Sequence, residues 1–266
     1  MIRDITLGQY YPADSVIHKM DPRTKLLATV VYVVSLFVFR NIPGFIVATA
    51  VLIALVLLSK VPFKLMAKGL KIIWVLVAIT AFFNVFFTPG DLLWQVGVLH
   101  ITWQGVRNAV FFSIRLIYLI LGTSIMTLTT TPNKLTDGLE EGLKPLNKIH
   151  IPVHEIALMM SIALRFIPLL GEETDRIKKA QMARGADFES GNMIQKVKSL
   201  VPILVPLFVS AFRRANDLAL AMEARCYHGG EGRTKMKPLH HEKRDCIAYV
   251  LMFAYLGAMI VIRVVG

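Results

Sequence analysis

The residues best suited to chemistry in this 266-residue chain are two arginines in matching surroundings: Ala183-Arg184-Gly185 and, 41 positions on, Ala224-Arg225-Cys226. A guanidinium stays charged at any physiological pH and offers five donors in a planar fork. It therefore recognises carboxylates and carbonyls rather than moving protons. Alanine before each arginine and glycine after the first let a partner's surface come close to the backbone. The plainer explanation is a cation complementing the negative end of a helix, then a glycine cap. It suits either motif taken singly, with Gly185 next to Arg184 and Gly229-Gly230 just beyond Arg225. Repetition at the ends of two successive long helices points instead to docking by Ala183, Arg184, Gly185, Ala224, Arg225 and Cys226.

Other reactive groups do not assemble into sites. His154-Glu155-Ile156-Ala157-Leu158 opens like the zinc-protease HExxH and ends in leucine, so the second ligand is missing. Cys226, His228, His240 and His241 lack tetrahedral-site spacing. No Gly-x4-Gly-Lys-Ser/Thr phosphate loop occurs, which excludes ATP hydrolysis by that route. The expectation is a non-enzyme that binds no metal and no cofactor itself. Cys226 and Cys246 fall on or near the expected inner side, where thiols stay reduced.

The elements that must carry the arginines are helices. With 55% hydrophobic residues, 18% charged residues and a mean hydropathy of +0.57, the chain is too apolar for a soluble domain and too charged to be all membrane. Spans need about 20 mostly apolar residues, and five stretches approach this: Thr24–Phe39, Ile42–Ser59, Ile72–Thr88, Asn108–Thr130 and Cys246–Ile262. Arg40-Asn41-Ile42-Pro43-Gly44 makes a tight hairpin between the first two. Met1 to Lys25 lacks the apolar core of a cleavable signal.

Lys and Arg mark the inner side. They gather in the N-terminal stretch (Arg3, Lys19, Arg23, Lys25), between the second and third spans (Lys60, Lys64, Lys68, Lys71) and in a block at 132–245 with 18 Lys/Arg against 14 Asp/Glu. The Pro89–Trp103 loop has one Asp and no Lys or Arg, as suits the outer face. The expected topology has a cytoplasmic N-terminus and an outer C-terminus. The net charge of +12 follows these membrane edges, so nucleic acid is not an expected partner. Arg107 and Arg115 lie eight apart on one helical face, and Arg115 is expected to pack against protein, because buried Arg is costly in a membrane.

The expected fold is all-α and polytopic. A cytoplasmic N-terminal segment occupies 1–23, helices 1–4 occupy 24–131, and helix 5 occupies 246–266. Between them, 132–245 forms a cytoplasmic coupling domain of about three helices, two of them long. The first runs from Pro132 to about Asn147, the second from near Pro152 to about Ala186, and the third from about Met193 to Tyr227. Ser190-Gly191-Asn192 separates the long pair. Two apolar runs inside it, Ile156–Leu170 and Leu200–Phe212, are interrupted by Arg165 and Pro168 and by Pro202 and Pro206, and suit interfacial helix better than a crossing. Met159, Met160, Met182 and Met222 on the long pair offer adaptable contact surface.

Tyr10-Tyr11, Asp14-Ser15, His18 and Asp21-Pro22-Arg23-Thr24-Lys25-Leu26 resemble, in order and spacing, the N-terminal signature of the transmembrane T component of energy-coupling factor transporters, the EcfT family. The paired arginine motifs resemble that family's coupling-helix motifs, with Cys226 departing from the glycine found there. The resemblance implies two cytoplasmic ABC ATPase subunits, which use ATP and Mg and each receive one arginine motif. It also implies a small membrane S component, which carries the vitamin or metal substrate and rests against the spans and coupling helices, with Met159 and Met160 as contacts. Asp21, Pro22, Arg23 and Lys25 carry the N-terminal signature, and the location implied is a bacterial or archaeal cell membrane. A conventional ABC importer permease is the alternative, since Glu140–Pro152 loosely resembles a permease coupling loop. It leaves the two-arginine helical block without a role.

Overall fold

A computed structural model describes residues 10–39, 41–96, 99–188, 192–230, 236 and 238–265. Arg3, Arg40, Ser190 and Gly191 of the sequence analysis lie outside them. The elements run α1 Val16–Lys19, α2 Pro22–Val38, α3 Ile42–Ser59, α4 Phe63–Phe87, β1 Leu92–Val96, β2 Leu99–Thr102, α5 Trp103–Thr129, α6 Pro132–Leu143, a 3-10 turn Lys144–Ile149, α7 Val153–Ala183, α8 Met193–Glu223 and α9 Lys243–Val265. They divide into a unit of 10–138 with 239–265 and a unit of 139–238.

In the first unit α2 packs against α5 and α9, and α4 packs along α5. Leu36, Phe39, Ala48, Met66 and Met259 are fully buried. Phe45 stacks on Phe111 and meets Phe39 edge-on, both at 4.9 Å between ring centroids. The α2–α3 hairpin is tight because Gly44 leaves room for the Phe39 ring, which a Cβ there would meet at 2.6 Å. Arg115 packs as expected from the cost of a bare guanidinium in a membrane. It lies over the Phe37, Phe45 and Phe112 rings and donates from Nη2 to the Phe39 carbonyl at 2.9 Å.

Among the described residues four helices are long and apolar enough to cross a membrane: α3, α5, α7 and α9. A fifth is added when the bent halves of α4, Phe63–Lys71 and Ile73–Phe87, count together. This set differs from the expected one at two places. The first expected span is α2, whose 17 residues rise about 26 Å at 1.5 Å per residue, one residue less than α3. In its place stands α7, whose N-terminal half carries only Glu155 and Arg165 as charges. The Pro89–Trp103 loop also contains more order than expected. Strands β1 and β2 pair antiparallel from Leu92↔Thr102 to Val96↔Leu99, with a bulge between Leu92 and Trp94.

In the second unit α7 and α8, 31 residues each, lie antiparallel. Near their middle, Glu173 of α7 accepts from the Ser210 hydroxyl at 2.5 Å and from Arg214 Nη2 at 2.9 Å, both on α8. Towards the end of α7, Gln181 Nε2 donates to the Pro202 carbonyl at 3.3 Å. Proline lacks an N–H, so Pro206 leaves the carbonyl four residues before it without its helical donor. That carbonyl belongs to Pro202, and Gln181 supplies the missing donor across the helix pair.

Candidate functional site

Both arginine motifs end their helices in one backbone arrangement. At the end of α7, Gly185 adopts φ +87° in the left-handed region. Its N–H bonds the Met182 carbonyl at 3.0 Å, and the Ala186 N–H bonds the Gln181 carbonyl at 3.0 Å. At the end of α8, Cys226 adopts φ +56°, its N–H bonds the Glu223 carbonyl at 2.9 Å, and the Tyr227 N–H bonds the Met222 carbonyl at 3.0 Å. These paired bonds define the Schellman termination, in which one left-handed residue turns the chain and the backbone satisfies two orphan carbonyls. Ala183 and Ala224 then occupy equivalent positions, as do Arg184 and Arg225, and Gly185 and Cys226.

Cys226 thus stands where glycine is favoured. The left-handed conformation is costly for a side chain with a Cβ, by about 1–2 kcal/mol per residue. The turn forms all the same, so its geometry comes from the helix-end bonds and not from glycine alone.

All six docking residues are exposed. Backbone N–H groups already cap two terminal carbonyls at each end, so those carbonyls do not hold the guanidinium. Among the described residues neither Arg184 nor Arg225 has an ion-pair partner. Beyond Arg184 the chain folds back, bringing Phe188 over Lys178 with 6.0 Å from Nζ to the ring centroid. Because the helices are antiparallel, the turns sit at opposite ends of the pair. Gln181 meets Pro202, and the rise of α8 from Pro202 to Arg225 is roughly 35 Å at 1.5 Å per residue. Each end offers a planar cation on a short, backbone-locked turn, suited to an acidic or carbonyl-lined groove.

Asp21, Pro22, Arg23 and Lys25 come together within the first unit. Asp21 caps α2 by accepting from the Arg23 N–H at 2.8 Å, and Pro22 takes the first helical position. The Asp21 N–H donates to Asp245 Oδ1 at 2.9 Å, and Asp245 Oδ2 accepts from the Glu242 N–H at the start of α9. Arg23 Nη2 donates to the Leu239 carbonyl at 3.0 Å. Lys25 is buried, its Nζ directed at the carbonyls of His18 (3.4 Å) and Thr129 (3.0 Å) and at Thr130 Oγ1 (3.3 Å). His18 Nε2 faces the Tyr11 carbonyl at 2.9 Å, which can only accept, so the proton sits on Nε2 and Nδ1 takes the Ser15 hydroxyl at 2.7 Å. Burial holds the His18 imidazole below its ordinary pKa. The N-terminal signature therefore forms one hydrogen-bonded knot joining α1, α2, the end of α5 and the start of α9.

Sequence reasoning missed Gln181, Glu173 and Asp245. A glutamine three residues before the arginine and prolines four apart on the next helix were the available signals for the first. His154, weighed for metal, pairs through Nδ1 with Glu140 Oε1 at 2.9 Å, and Gly230 packs against its ring. Among the described residues no group of three or more His, Cys, Asp or Glu is placed to hold a metal. Met159 and Met160 are exposed on α7.

Residues 13–236 match the Cobalt transport protein family, CbiQ. The chain is 53% identical over 266 residues to the energy-coupling factor transporter transmembrane protein EcfT of Clostridium kluyveri, covering 99% of this chain and 98% of that one. It is 51% identical to the protein of that name from Thermosediminibacter oceani, over 94% of each chain. With its counterpart in Bacillus subtilis it shares 46% identity, over 99% of this chain and 100% of that one. With matched arginine turns on a helix pair and apolar helices fit to cross a membrane, the chain belongs to the EcfT family of energy-coupling factor transporter transmembrane proteins.

Proposed function

We propose that this chain is the scaffold through which two cytoplasmic ABC ATPase subunits move a separate membrane S component carrying a vitamin or metal substrate. Ala183-Arg184-Gly185 enters a groove on one ATPase, and Ala224-Arg225-Cys226 enters a groove on the other. ATP and Mg are used by those partners, and this chain is non-catalytic. The observation that supports this reading best is the pair of equivalent arginine turns, exposed at opposite ends of one braced helix pair. Two engines closing on such a pair would apply force at both ends, and the Glu173 and Gln181 contacts would pass it between the helices.

In this reading α7 stays on the cytoplasmic side despite its apolar half. A crossing would carry Arg176, Lys178, Lys179 and Arg184 outward, against the bias that places Lys and Arg inside. The N-terminus is then cytoplasmic and the C-terminus outside, in a bacterial or archaeal cell membrane. The S component rests on the exposed apolar faces, with Met159, Met160 and the α8 stripe of Val197, Val201, Leu204, Phe208 and Phe212 as its cytoplasmic contacts. A central, desolvated interfacial arginine contributes on the order of 2 kcal/mol or more by truncation. Arg184→Glu with Arg225→Glu is therefore expected to abolish recovery of the ATPases with the affinity-purified chain while membrane insertion persists. Full recovery from the double variant contradicts the docking role.

A further inference from the structure

The first unit contains a cleft beside the signature knot, with which it shares Ser15. It lies where α3 ends, α9 begins and α1 runs beside them, and it measures about 650 Å³ including its open mouth. Asp14, Lys19, Leu57, Leu58, Lys60 and Arg244 shape it. Three cations from three different elements meet here; Asp14 offsets Lys19 and Glu242 offsets Arg244, which leaves Lys60 as an excess positive charge that suits a phosphate. Lys19 keeps Asp14 at 3.0 Å with its side chain still 54% exposed, and Arg244 reaches Glu242. Among the described residues Lys60 has no ion-pair partner. A left-handed backbone (φ +54°) caps α3 at Lys60, so the cation sits directly beyond the last apolar turn of a membrane-crossing helix. Arg244 lies in the first turn of α9, where the helix dipole is positive and favours an anion.

The apolar side of the cleft selects the ligand further. Leu57 and Leu58 are 72% and 52% exposed, side by side with the cations. A free inorganic anion gains nothing from them, whereas a molecule with a phosphate at one end and hydrocarbon at the other satisfies both. A zwitterionic head group brings an ammonium into a cleft that already holds the cationic excess. We propose that this cleft seats the head group of an anionic phospholipid, with its acyl chain lying along Leu57 and Leu58 at the end of α3.

The test uses the full chain purified into detergent, exposed to equal phosphatidylglycerol and phosphatidylcholine, and examined by native mass spectrometry. The unmodified chain is expected to retain phosphatidylglycerol preferentially. A basic residue near a membrane surface contributes enough that losing two lowers retention roughly thirtyfold, so Lys19→Gln with Lys60→Gln should remove most of the adduct. Lys19→Arg with Lys60→Arg keeps both charges and should keep the adduct. Lys60→Gln alone, the change least able to disturb packing, should give an intermediate loss. Equal retention of both lipids by the unmodified chain overturns the proposal, as does an undiminished adduct on the double glutamine variant. Displacement of the lipid by inorganic phosphate, or by an acidic peptide, identifies a small-anion or protein site instead and equally refutes it.

Discussion

Replacing Cys226 by glycine should tighten the tip of α8, and replacing Gly185 by alanine should loosen the tip of α7. Cys226 holds φ +56° and Gly185 φ +87°, each at the one left-handed position of its turn. A side chain costs about 1–2 kcal/mol in this region, and the greater unfolded-state freedom of glycine returns part of that. A net effect of about 1 kcal/mol remains, which is roughly fivefold in an opening equilibrium. Nothing lies within 4 Å of a Cβ built on Gly185, so the cost of alanine there is in the backbone alone. The readout is hydrogen–deuterium exchange at the amides that close each turn: Gly185 and Ala186, and Cys226 and Tyr227. After correction for intrinsic rates, protection should rise about fivefold for Cys226→Gly and fall at least as far for Gly185→Ala. Unchanged protection in both variants, or a fall for Cys226→Gly with a rise for Gly185→Ala, would show that the left-handed residue does not limit the turn.

Two further outcomes follow from the hydrogen bonds. Glu173→Ala removes the acceptor of both Ser210 and Arg214, so α7–α8 coupling should weaken by about 1 kcal/mol at this partly solvated pair; a spin-label distance between the two helices should broaden, and an unaltered distribution counts against the brace. His18 is buried with its pKa lowered, so the unfolded chain binds the proton more readily. Its contribution to stability is therefore complete above its ordinary value of about 6.5 and declines as pH falls below it. The unfolding temperature in detergent should fall as pH drops below about 6.5, and fall less in His18→Gln, which can still meet the Tyr11 carbonyl and the Ser15 hydroxyl.

The long helices were legible because their charge and apolarity repeat over many turns. The second was expected from near Pro152 to about Ala186 and runs Val153–Ala183, and the third from about Met193 to Tyr227 and runs Met193–Glu223. The overshoot at both ends is the Schellman turn, where φ changes sign without any change in residue character. The matching of the two turns was hidden at Cys226, since only the helix-end bonds force a Cβ-bearing residue left-handed there. The Gln181–Pro202 bond depends on which faces of two helices meet, which spacing along the chain does not encode. The β1–β2 hairpin was missed because the absence of charge in that loop was read as topology, although strand-forming residues lie on both sides of Gly97. The exchange of α2 for α7 among the membrane-length helices has a similar origin, because helix length is fixed by Asp21 capping at one end and the tight turn at Gly44 at the other. For the N-terminal signature, the residues were visible and their purpose was not. Asp245, some 220 positions away, completes the knot, and no local pattern announces a pairing at that range.

The most direct measurement is photocrosslinking from position 226. Cys226 is exposed beside Arg225, and Cys246 can be changed to serine so that a thiol-reactive photoprobe reports from the α8 tip. In the assembled complex the label should capture one ATPase subunit, and the same probe at Ala183→Cys, with Cys226 changed to serine, should capture an ATPase at the α7 tip. Labels at both tips that reach only lipid or the substrate-binding subunit would contradict the docking account.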